Sequence, residues 1–259
     1  MLQNFKILQD KVHHEFYQLK IYATEMDRLI TTLHDAEHSM LEKISHNPDL
    51  NFAGINIPVK NEKGEFYKEG LDILNYVLDT IRNKKSLTGN YWFIMRVSTL
   101  AYATSIFDGF LQELLILLFK NCPQALISSK PISLERIIKS NNIEILKDEL
   151  INEKAAEIAY QSLKDQLKLI NEKFRVSLNE NNFNHLDTLI EIYETRNLHI
   201  HNKGIVNNIY ISKVSNPKYM IGDLRDIDKE YLITSIELLQ LAADQLSENS
   251  IKEGAEKAK

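Results

Sequence analysis

From Leu2 to His46 the chain has neither proline nor glycine. Apolar residues recur there at steps of three or four: Phe5, Leu8, Val12, Phe16, Leu19, Tyr22, Met26, Leu29, Leu33, Ala36, Met40 and Ile44. That spacing predicts one long helix with a coiled-coil-like seam. At about 1.5 Å per residue it would reach roughly 65 Å, long enough to need a second helix or a second subunit beside it. Asn47-Pro48 ends it. The next stretch, to Glu65, holds Pro48, Gly54, Pro58 and Gly64 and reads as a loop with a short extended piece at Gly54 to Val59. A second helix is expected from about Tyr67 to Lys85 on Leu71, Leu74, Leu78 and Ile81. Thr88-Gly89-Asn90 then breaks the chain and marks a domain boundary. Residues 1–90 form an N-terminal helical region and 91–248 a helical bundle, with 249–259 as a charged, flexible tail.

Within the bundle the pattern changes from one-sided to nearly all-round. Tyr91 to Asn121 is apolar on most faces in its second half, as a central bundle helix would be. Its longest unbroken apolar run, Leu114 to Phe119, is far short of the roughly 20 residues that span a bilayer, so a buried core helix is expected and no membrane contact. Tyr91-Trp92-Phe93 reads as core or dimer packing. Ser133 and Asn142 are expected to cap short helices. Glu153 to Phe174 is amphipathic, and His185 to His201 forms a further helix with Gly204 at its C-terminal cap. Ile205 to Ser212 is β-branched and reads as extended. Ile227 to Ser247 is a clear amphipathic helix. The fold class is therefore all-α.

Composition narrows the function. The 259 residues carry a net charge of −5, which argues against a protein that coats nucleic acid through a broad basic face. A single cysteine, Cys122, excludes an internal disulfide and a multi-cysteine zinc site. With no signal peptide at the start, a cytoplasmic setting is expected. His34 and His38 have a metal-compatible spacing but no third ligand, so neither a metal nor a cofactor is expected.

One segment concentrates chemistry. Tyr193-Glu194-Thr195-Arg196-Asn197-Leu198-His199-Ile200-His201-Asn202-Lys203-Gly204 closes an amphipathic helix with arginine, asparagine and two histidines. Transphosphorylation within RNA needs a base for the 2′-OH proton, a cation for the phosphorane-like charge and an acid for the 5′-oxygen. Histidine titrates nearest neutrality, and arginine's planar fork matches two phosphate oxygens. On an ideal helix Asn197 and His201 share a face, but Arg196 and His201 stand roughly 140° apart. The arginine must curl round, the helix must loosen, or a second copy must complete the site across a two-fold axis. Asp108, inside an apolar helix, needs a partner, and Arg196 is a candidate. The acids nearest Arg196 on its own helix, Glu191 and Glu194, are poorly spaced for an ion pair. His199 suits the helix C-terminus as a cation, and Asn202 suits a cap.

Arg196-Asn197-x-x-x-His201 resembles the Arg-polar-x-x-x-His motif of the HEPN superfamily. The stretch His201 to Asn207 is similar to what often follows that motif in prokaryotic members. Ser105 to Leu111, with Asp108, is similar to the family's early core helix. The resemblance spans about Tyr91 to Ser247. It implies a HEPN-like helical bundle acting as a homodimeric, metal-independent endoribonuclease in a toxin or antiviral defence system. RNA would be the substrate, and an antitoxin or defence protein a partner. By the same resemblance Arg196 would hold the scissile phosphate, Asn197 would orient it, and His201 would be general base or acid, with Asp108, His199 and Asn202 in support. Lys203 stands where the subtype paired with a nucleotidyltransferase antitoxin has tyrosine, so the resemblance does not extend to that subtype. The alternative is a catalytically inactive HEPN-fold scaffold that binds RNA or protein.

Overall fold

The periodicity of the first residues closes, in a computed structural model, into one uninterrupted helix, α1 (Leu2–His46). The structure describes residues 2–46, 56–60, 63, 66–70, 88–126, 132–140, 142–178 and 185–256. Eight α-helices in these residues place the chain in the all-α class, with one two-stranded hairpin beside them. Contacts divide the chain into two units, residues 1–23 with 96–259, and residues 24–95.

In the first unit Phe5, Leu8, Val12, Phe16 and Leu19 of α1 are buried as the seam requires. Beyond them the buried positions become Ala23, Asp27, Ile30 and Glu37, whereas Tyr22, Leu29, Leu33 and Met40 are exposed. The expected seam drifts by one residue because a straight helix advances 3.6 residues per turn and does not hold a 3.5 repeat. Along its first half α1 is tied by Lys11 to Glu113 (2.5 Å), by Lys20 to Glu237 and by His13 to Asp244 (3.3 Å).

The long helix α2 (Tyr91–Asn121) has the predicted bounds. By length and apolarity alone it could cross a bilayer, but 56% of that apolar window is buried inside the protein. Leu100, Ala103, Phe107, Leu111, Leu114, Leu115 and Phe119 form the centre of the core, each large one contributing about 1.5–3 kcal/mol on burial. After a 3-10 turn, Pro123–Leu126, come α3 (Leu134–Lys139) and α4 (Ile143–Ala159). Ser133 and Asn142 cap these two helices as expected. Next are α5 (Leu163–Phe174) and α6 (Leu186–Asn202). Last come α7 (Asn208–Lys213) and α8 (Lys229–Glu256).

The single amphipathic helix expected over Glu153 to Phe174 is in fact two. Ser162 accepts from the Asp165 amide (3.3 Å) and starts α5 afresh, leaving Tyr160 and Gln161 as a turn between α4 and α5. Ile205 to Ser212 is not an extended segment. Only Ile205 makes a bridge, to Leu224, and Asn207 caps α7 by accepting from the Tyr210 amide (3.0 Å). Val206, Tyr210 and Val214, four apart, then pack on Leu198; this helical spacing outweighs β-branching. Residues 249–256 are not a loose tail: α8 continues to Glu256, and Ser250 is buried, its hydroxyl donating to the Leu246 carbonyl (2.7 Å).

In the second unit β1 (Asn56–Lys60) pairs antiparallel with β2 (Phe66–Gly70), Asn56 opposite Gly70. The extended piece foreseen near Gly54 to Val59 is β1. The helix expected from Tyr67 to Lys85 begins instead as strand, and the rest of it, residues 71–85, lies outside the described residues. Thr88 donates from its amide and its hydroxyl to Glu37 Oε2 (3.1 and 2.5 Å) and contacts His34 Nδ1 at 3.0 Å. His34 also meets the edge of Trp92, 4.9 Å between centroids. His38 instead faces Glu42 at 3.8 Å, so the two histidines have separate local partners.

Candidate functional site

Helix α6 carries the arginine–asparagine–histidine segment and runs as regular helix through Asn202. Lys203 closes it in the left-handed region (φ 54°), and Gly204 continues there (φ +79°). Both amides reach back to the Leu198 carbonyl, Gly204 at 3.0 Å, a Schellman-like ending. Asn202 donates to the Ile205 carbonyl (2.5 Å) and closes the turn.

Three neighbours hold the guanidinium of Arg196. Its Nε donates to Thr104 Oγ1 (3.2 Å), one terminal nitrogen to Asn197 Oδ1 (2.9 Å) and the other to Asp108 Oδ2 (3.4 Å). Thr104 and Asp108 are one turn apart on α2 and present one face to α6. Tyr193 completes the group by donating its hydroxyl to Asp108 Oδ1 (2.7 Å). Burial pushes the Asp108 carboxyl above the usual range, against the opposing pull of Tyr193 and Arg196. The Tyr193 hydroxyl is raised well above its ordinary value by its own burial and by Asp108. The pairing of Asp108 with Arg196 that the sequence left open is therefore made, loosely, at 3.4 Å.

Arg196, Asn197, Asp108 and Tyr193 line a cleft of about 460 Å³. Glu194 and Lys213, bonded at 2.8 Å, line it too. His201 does not: it is exposed on the last turn of α6. That turn stays helical, so no loosening of the helix end brings His201 round to Arg196 within the chain. Among the described residues no three His, Cys, Asp or Glu side chains form a group able to hold a metal.

His199 is not the exposed C-terminal cation that its position suggested. It is buried, with Nε2 2.7 Å from the Arg225 carbonyl, so Nε2 carries the proton and donates. Burial depresses its pKa, outweighing that hydrogen bond. It supports the fold and is not among the residues that line the cleft.

Behind α6 lies a polar network that the sequence did not reveal. Glu191 Oε1 accepts from Thr195 (2.8 Å), Tyr210 (2.8 Å) and Arg225 (3.0 Å), and Oε2 accepts from Tyr231 (2.7 Å). Burial alone would raise Glu191, but Arg225 and these hydroxyls hold its carboxyl below the usual range. Burial and Glu191 push the Tyr210 hydroxyl up to about 12. The two acids near Arg196 in sequence are thus engaged elsewhere, Glu191 by Arg225 and Glu194 by Lys213. The local signal for this network is the i, i+4 pair Glu191–Thr195; Arg225, Tyr210 and Tyr231 reach it only through the fold.

No protein-family model, no curated protein and no solved structure matches the chain.

Proposed function

We propose that this chain is a metal-independent endoribonuclease on a HEPN-like bundle, working as a homodimer in a prokaryotic toxin or antiviral defence system. The observation that carries the reading is Arg196: an arginine fixed by three neighbours at the wall of an open cleft, beside Asn197. Its longest contact, 3.4 Å to Asp108, exceeds the 2.7–2.9 Å of a tight charge-assisted bond. A phosphate can therefore displace Asp108 from that guanidinium edge. In the reaction the 2′-oxygen attacks phosphorus, the bond from phosphorus to the 5′-oxygen breaks, and a 2′,3′-cyclic phosphate and a 5′-hydroxyl result. Arg196 balances charge on the non-bridging oxygens and Asn197 orients the phosphate. His201 takes the 2′ proton or gives one to the 5′-oxygen. His201 comes to the cleft from a second copy, whose α6 faces the first across a two-fold axis.

One observation favours a second reading. Within a single chain His201 is outside the cleft and Arg196 is already satisfied, which suits an inactive module that binds RNA or a protein partner. Incubation of the purified chain with end-labelled RNA in EDTA separates the two. The ribonuclease reading expects cleavage with cyclic phosphate ends, lost in folded Arg196→Ala and His201→Ala proteins. Binding without cleavage selects the scaffold, and cleavage unchanged in both variants rejects the proposed site.

A further inference from the structure

The cleft that holds Arg196 has an aromatic ring at its rim. Tyr160, in the turn between α4 and α5, lines the cleft yet is 93% exposed, an unusual setting for a side chain with so much apolar surface. The turn that presents it is firmly held. Gln166, only 4% exposed, donates to the carbonyls of Ala159 (3.3 Å) and Gln161 (3.0 Å), and the Gln161 amide donates to the Ile158 carbonyl (2.9 Å). Ser162 then caps α5. A buried glutamine that bonds both sides of the tyrosine fixes the backbone under an unburied ring.

Charge narrows what the ring can meet. The cleft lining holds Lys164, Arg196 and Lys213 against Asp108 and Glu194, a surplus of one cation. That suits a strand passing one or a few phosphates through the cleft. It does not suit a duplex, which needs a broad basic face. We infer that Tyr160 is a stacking platform for an unpaired base of single-stranded RNA whose backbone passes Lys164 and Arg196. This rests on the ribonuclease reading and adds to it a specific contact: an unpaired base held by stacking on Tyr160. Stacking tolerates any base, since each has a π face, so the platform selects for strandedness before sequence. The ring lies at the rim, so it grips a nucleotide flanking the scissile phosphate and leaves Arg196 free for the phosphate itself.

The test measures binding apart from cleavage. The full-length His201→Ala chain, which under the ribonuclease reading cannot cut, is titrated by fluorescence anisotropy against a labelled, unstructured RNA 12-mer. The same strand is then titrated in duplex form. Adding Tyr160→Ala should weaken single-strand binding about ten-fold or more. Tyr160→Phe and Tyr160→Trp should bind like the parent, and the duplex should bind more weakly than the strand. The salt slope for the strand should be shallow, between about −0.7 and −2 for one to three phosphates. A parent that binds the strand equally well with alanine at 160 overturns the platform and leaves the ribonuclease reading standing. A parent that binds no RNA overturns both.

Discussion

A methyl group placed on Gly204 would stand 2.7 Å from Cε1 of His199. The glycine that ends α6 and the buried imidazole one turn back therefore fit only because one of them has no side chain. Three glycines make a graded test. Gly204→Ala combines a left-handed φ of +79° with that collision and should cost about 2–4 kcal/mol. Gly222→Ala, at φ +96° with nothing within 4 Å, should cost about 1–2 kcal/mol from backbone strain alone. Gly109→Ala, inside α2 with open space, should stabilise by about 0.5–1 kcal/mol. Urea denaturation midpoints give the order, and equal effects at 204 and 222 would remove the collision from the account.

The same histidine makes stability depend on pH. Burial lowers the His199 pKa in the folded chain, so below about pH 6.5 the unfolded chain takes up a proton that the folded chain refuses. Stability should fall as pH drops through that value, by at most about 1.4 kcal/mol per pH unit from this group, until the folded ring itself protonates. Glu191 acts in a lower window. Its depressed carboxyl contributes stability that is lost as pH falls below the ordinary carboxylate range. Chemical denaturation between pH 7.5 and 5.5 should show the first loss in the parent and a flatter profile in His199→Gln.

The Glu191–Arg225 pair should behave unlike the ion pairs on the surface. Their side chains are only 17% and 8% exposed, so Glu191→Ala leaves a buried guanidinium and three hydroxyls without their acceptor. The expected loss is about 3–5 kcal/mol. Arg28→Ala removes an exposed pair with Glu25 on α1 and should cost no more than about 0.5 kcal/mol. Denaturation of both variants checks the contrast, and a mild effect at Glu191 would mean that water reaches the network.

Local pattern accounts for much of this architecture. The bounds of α2, the caps at Ser133 and Asn142 and the first half of the α1 seam follow from spacing and side-chain chemistry within a few residues. Two segments depart from their expected form for a common cause. The β-branching of Ile205 to Ser212 points to an extended segment, although Asn207 is a helix cap and Val206, Tyr210 and Val214 have helical spacing. The apolar stripe of Glu153 to Phe174 points to one helix, although Ser162 and Asp165 mark a fresh helix start. In both cases a hydrogen-bonding cap outweighed the average character of the segment. At the site, Arg196, Asn197 and Asp108 were identifiable as residue types, and the structure brings all three together. Thr104 and Lys213 were not, nor was the role of Tyr193, because Thr104 reaches Arg196, Tyr193 reaches Asp108 and Lys213 reaches Glu194 only through the packing of α6 on α2 and α7. The place of His199 on the helix suggests a terminal cation, but its protonation is governed by burial against the Arg225 carbonyl, which no local pattern conveys.

The exposed position of His201 makes the proposed composite site open to a direct test. If each active site takes Arg196 from one chain and His201 from its partner, neither single variant alone retains an intact site. In a mixed dimer of Arg196→Ala and His201→Ala chains, one site combines both defects and the other combines both native residues. Random reassortment makes half of the dimers mixed, each with one good site of two. An equimolar mixture, unfolded and refolded together, should therefore recover about a quarter of the parent RNA cleavage. Each variant refolded alone should recover none. If both residues act from the same chain, every site in the mixture lacks one of them, and mixing restores nothing. That outcome would require Arg196 and His201 to meet within a single protomer, against the unbroken helix that separates them.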